Sequence, residues 1–148
     1  MKNISRVIIF IFCLTSVIAA EKTANPKHDE SRYDNLSDFV QGKYLMIGRS
    51  SDGKKVYSGN VRISFEKERN VVRVINGKTI RGNWEIIEFG CDEVLVLRMR
   101  FVEKMISYEA IFLITTDLEN YPRLTGEVYE SDNPARPPAL EALFPVHE

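Results

Sequence analysis

The chain has 148 residues, with 20 basic and 21 acidic side chains and a net charge of −1. That near-balance leaves no basic stripe to hold a phosphate backbone, so nucleic acid is not an expected partner. The length suits one domain with a single core that needs no stapling disulfides.

Residues 1–20 read as an export signal. Lys2 and Arg6 form a basic start, Val7 to Leu14 is apolar apart from Cys13, and Val17-Ile18-Ala19-Ala20 offers small residues for cleavage. The apolar run is shorter than the roughly 20 residues a spanning helix needs, so no stable membrane span is expected after cleavage. Bulky Phe12 before Cys13 argues against a lipidation site. The expected address is therefore periplasmic or secreted. Cleavage leaves Cys91 alone, between Gly90 and Asp92 in an expected turn. It reads as a buried thiol; partial exposure and an intermolecular bridge are the alternatives.

Residues 21–34 are polar and aperiodic and read as a flexible arm. Leu36, Phe39 and Val40 fall at helical spacing and predict one short helical turn within 35–40. From Gly42 the pattern changes to short alternating runs broken by Asp52-Gly53 and Asn76-Gly77, the dipeptides that best tolerate the positive φ of a tight hairpin. Strands are expected at 43–49, 54–66, 70–76, 78–88, 93–102, 105–115 and 122–130. Val61, Ile63 and Phe65 share an apolar face, as do Leu95, Leu97, Met99 and Phe101, and then Ile106, Tyr108, Ala110, Phe112 and Ile114. The expected fold is all-β, an antiparallel up-and-down meander of seven to eight strands spanning 35–130.

Three matching triplets favour a closed barrel over a sandwich. Tyr57-x-Gly59-x-Val61, Ile80-x-Gly82-x-Trp84 and Leu124-x-Gly126-x-Val128 each put glycine on an inward face, as sharp bending or close backbone approach requires. Residues 131–148 read as a Pro-rich tail ending in a helical turn, with Leu140, Leu143 and Phe144 at helical spacing. That turn is expected to pack across the barrel or to serve as a docking peptide.

The residues suggest no catalytic centre, cofactor or metal site. His28 and His147 sit in the two tails, away from ligand spacing with each other or with cysteine. Glu85, Glu88, Asp92, Glu93 and Glu109 could pair across a groove as a glycosidase requires, but solvated surface charges are the expected reading. Arg62, Arg73, Arg81, Arg98 and Arg100 are expected on the outer wall as cross-strand partners of Glu85 and Glu109. Tyr44, Tyr57, Phe65, Trp84, Phe101, Tyr108 and Phe112 project to one side. They either fill the interior or line a pocket for one small ligand; the ligand-binding set is Tyr44, Tyr57, Trp84, Phe101, Tyr108 and Phe112.

Gly42-Lys43-Tyr44, after a helical lead-in, resembles the Gly-x-Trp opening of the lipocalin and broader calycin family, with tyrosine for tryptophan. Thr116-Asp117-Leu118-Glu119-Asn120-Tyr121 is similar to that family's Thr-Asp-Tyr turn, with Leu118 in the tyrosine position. Arg136, or Arg123 as its rival, stands where the family has an arginine packed over the opening aromatic. The resemblance spans 42–130 and implies a barrel carrying a small apolar molecule. The expected function is thus an exported, non-enzymatic carrier. The alternative is a protein-binding module, an exported enzyme inhibitor or envelope interaction protein, with a filled barrel. It would use an edge strand, a loop such as 116–122 or the C-terminal tail.

Overall fold

Two-residue turns set the registers from which the fold grows. A computed structural model of the protein describes residues 30–65, 68–91, 94–114 and 123–146. In it Asn76 and Gly77 hold φ of 50° and 74° and pair Ile75 directly with Lys78, the left-handed pair that matches strand twist. Lys104 and Met105 form a second such turn without glycine, at φ 51° and 66°, where a strand from residue 105 was expected.

The strands are β1 (Gly42–Arg49), β2 (Val56–Phe65), β3 (Arg69–Ile75), β4 (Lys78–Phe89), β5 (Val94–Glu103), β6 (Ile106–Leu113), β7 (Leu124–Glu130) and β8 (Ala139–Pro145). They run in sequence order as an antiparallel meander, and β8 pairs back on β1 to close a barrel. The all-β meander expected from sequence is the observed fold.

The eighth strand corrects the tail. Residues 139–145 are not a helical turn or a free docking peptide but a strand bonded to β7 on one side and β1 on the other. Closure likewise leaves no free edge strand among the described residues for a partner to extend. The helix α1 (Glu30–Val40) is longer than the single turn expected and takes in residues 30–34 of the presumed arm. The expected export signal, residues 21–29 and the segment Thr116–Tyr121 expected as a turn lie outside the described residues.

α1 finishes one end of the barrel. Fully buried Val40 joins the core, Leu36 packs against it, and the Tyr44 hydroxyl donates to the Val40 carbonyl at 2.8 Å. Above them Met46, Val61, Ile63, Val71, Leu97, Met99, Phe112 and Leu143 fill this half, and the Trp84 indole N–H donates to the Ser64 carbonyl at 3.0 Å. Phe65, expected inside, is exposed at the strand end; Arg69 lies over its ring and that of Trp84, 5.8 and 5.4 Å from the centroids. Cys91, expected buried, is an exposed thiol.

At the inward glycines a neighbouring strand's backbone occupies the place of a side chain. A Cβ on Gly82 would stand 2.1 Å from the Arg100 carbonyl oxygen, and one on Gly126 2.2 Å from that of Ile111. No rotamer relieves a clash with backbone. Gly82→Val is therefore expected to destabilise the barrel by about 3 kcal/mol, read by urea denaturation. A wild-type midpoint would show that the sheet is not coiled as described.

Candidate functional site

The two ends of the barrel are finished differently. Opposite α1, the connections 50–55, 76–77, 104–105 and 131–138 surround a mouth that opens on a cavity of about 370 Å³. Tyr57, Ile75, Phe101, Tyr108, Val128 and Ala139 form its walls. Ser50, Ser51, Lys55, Glu103, Glu130 and Arg136 stand in its rim. At the rim Arg136 donates to Glu130 Oε2 at 2.7 Å and to Ser51 Oγ at 3.1 Å, holding the Pro-rich 131–138 connection against the β1–β2 turn.

The floor of this cavity is charged. Arg73, expected on the outer wall, points inward and is 2 % exposed; Glu141 is 4 % exposed. Arg73 Nη2 donates to Glu141 Oε1 at 2.5 Å and to Met46 Sδ at 3.3 Å. The Tyr57 hydroxyl donates to the same carboxylate oxygen at 2.7 Å. The guanidinium also lies 4.1 Å from the Phe101 ring centroid, a favourable seat for a cation over a π face.

The local sequence explains how these groups meet. Gly48 pairs with Tyr57 on β2 and with Glu141 on β8, so it lies between them on the wall. A Cβ there would stand 2.3 Å from the Tyr57 ring. Glycine thus lets the ring lie across β1 and deliver its hydroxyl to the carboxylate. Burial, then the charge of Glu141, then the hydrogen bond to it push the Tyr57 phenol above its ordinary pKa. Burial, followed by the charges of Glu130 and Glu103, raises that of Tyr108. Both rings therefore remain neutral hydrogen-bonding groups at physiological pH.

One carboxylate oxygen receives two donors while other groups receive none. Among the described residues no protein group meets Arg73 Nε, Arg73 Nη1 or Glu141 Oε2. Buried polar atoms ordinarily find partners; these three have none, and they belong to two residues that line the cavity.

Of the aromatic set read from sequence, Tyr57, Phe101 and Tyr108 line this cavity, the last two stacked with centroids 5.5 Å apart. Tyr44, Trp84 and Phe112 sit in the filled half or near its α1 end. Arg136 is at the mouth, not over Tyr44, so it does not take the family arginine's position; Arg123 is exposed. Glu85 and Glu109 lie on the outer wall, bonded to Arg98 and Arg100 at 2.7 and 3.0 Å as expected. Among the described residues no three His, Cys, Asp or Glu side chains gather as a metal site would need; His28 and His147 lie outside those residues.

Arg73 and Glu141 were missed. Val71, Val72, Val74 and Ile75 make both faces of β3 apolar, which hides the strand's phase. The Asn76-Gly77 turn carries the signal, because its register sets Arg73 opposite inward-facing Ile80. No family model matches the chain, and no curated protein matches it.

Two tests follow from this geometry. Removing one member of a buried ion pair strands the other, so Glu141→Leu should cost about 3–5 kcal/mol, whereas Arg73→Met with Glu141→Leu should come back to near wild type. Denaturant unfolding reads both; equal losses in single and double variants would contradict the pairing. Burial also raises Tyr44 to about pKa 12, while an unfolded tyrosine ionises near 10. Its folded phenol holds the proton more tightly, so its contribution is complete below about pH 10 and is lost between about 10 and 12. Tyr44→Phe should flatten that alkaline decline, and an unchanged slope would contradict it.

Proposed function

We propose that this protein is an exported, non-enzymatic barrel that holds one small, largely apolar molecule in its mouth. The observation that carries the reading is the half-filled interior: packed from α1 to the Arg73–Glu141 pair, then open as a cavity of about 370 Å³ with apolar walls and a few converging polar groups. Small-molecule sites have that composition, and this volume lies toward the small end of their range. The eight-stranded meander, the helical lead-in and Gly42-Lys43-Tyr44 are compatible with a lipocalin-like carrier. Export rests on the basic start and apolar run of residues 1–20. No helix among the described residues is long and apolar enough to cross a membrane.

One observation favours a second reading, a protein partner. On the outer wall Ile47, Val56, Phe89, Leu113 and Leu140 are exposed around an apolar concavity of about 680 Å³. A protein surface docked there would cover them, and the mouth would then be incidental.

Native mass spectrometry of protein purified from its host's exported fraction separates the two. The carrier reading expects extra mass that leaves on denaturation, or displaceable binding of an uncharged polarity-sensitive naphthalene dye. Bare polypeptide mass together with no dye binding would refute it and leave the outer wall as the working surface.

A further inference from the structure

The floor of the mouth also says what kind of end group it would receive. Resting on the reading of the mouth as a ligand cavity, we propose that the ligand is a compact apolar molecule ending in an uncharged donor–acceptor group of the carboxamide type.

The argument is one of hydrogen-bond and charge complementarity. Arg73 and Glu141 are joined through one nitrogen and one oxygen rather than by a two-pronged fork. Arg73 Nε and Nη1 therefore want an acceptor, and Glu141 Oε2 wants a donor. A bound carboxylate satisfies the guanidinium but sets a second negative charge beside Glu141. A bound ammonium satisfies Oε2 but sets a second positive charge beside Arg73. Either adds an uncompensated charge to a floor where one of each already balances.

A carboxamide answers both at once. Its carbonyl oxygen accepts from the guanidinium while its NH₂ donates to Oε2, with no added charge. The remainder of the molecule lies against Ile75, Phe101, Tyr108 and Val128. The cavity equals about a dozen waters at about 30 Å³ each, which suits a molecule of this kind with a short chain or a single ring.

Isothermal titration calorimetry at pH 7 with octanamide, octanoate and octylamine tests the assignment, since the three share a tail and differ in the end group. Wild-type protein is expected to bind octanamide at least about tenfold more tightly than either charged partner. In the Arg73→Met, Glu141→Leu double variant the three affinities should converge. Octanoate or octylamine binding as well as octanamide, or an unchanged ranking in the double variant, would overturn the end-group assignment while leaving the mouth as a cavity. Failure of all three to bind would remove both together. The wild-type ranking decides even if the double variant does not fold.

Discussion

A guanidinium and a carboxylate withdrawn from water must find each other, and in this protein only closure of the barrel lets them. Glu141 is carried on β8, and β8 has a place solely because β1 and β7 both accept it. Until that last strand seats, Arg73 would face the lumen alone. The pair divides the interior into a packed half beneath it and an open half above. It also explains Gly48, whose missing side chain is what allows Tyr57 to reach the carboxylate.

Such a pair adds little net stability over an apolar filling. Desolvating two charges offsets most of their attraction, and apolar replacements often do as well or better. A barrel of eight strands could have been filled with aliphatic side chains throughout. Instead the chain places a charged pair where apolar packing stops, capped on one flank by an aromatic ring and on another by a tyrosine hydroxyl. Polar groups at the bottom of an apolar cup orient what enters. Floor and rim are each balanced in charge, Arg73 with Glu141 and Arg136 with Glu130, so under the proposed function a ligand would be oriented by hydrogen bonding rather than by bulk charge.

Much of this was legible in the residues. Asn76-Gly77 and the alternation of Val61 and Ile63 located the hairpins, and the spaced glycines announced a tightly coiled sheet. Gly82 and Gly126 then meet neighbouring carbonyls as that reading required. The eighth strand was not legible. Ala139, Leu140, Glu141, Ala142 and Leu143 are good helix formers, both faces of the segment are apolar, and its one inward charge breaks the alternation. Strand pairing on both sides overrides that local preference, and no short-range signal reports it. The same long-range closure hid the floor, since a buried Glu141 makes sense only once Arg73 is known to point inward. Three of the six aromatics line the mouth, because period-two alternation assigns a face but not a depth along the barrel.

The most direct measurement is an NMR titration that watches the side-chain N–H groups of arginine and tryptophan while octanamide is added. The Arg73 Nε–H signal should move and saturate, accompanied by the ring signals of Tyr57 and Tyr108. The indole N–H of Trp84, held in the packed half on the Ser64 carbonyl, should stay in place. Movement of Trp84 with Arg73 unchanged, or no movement of either, would contradict a ligand seated on the charged floor.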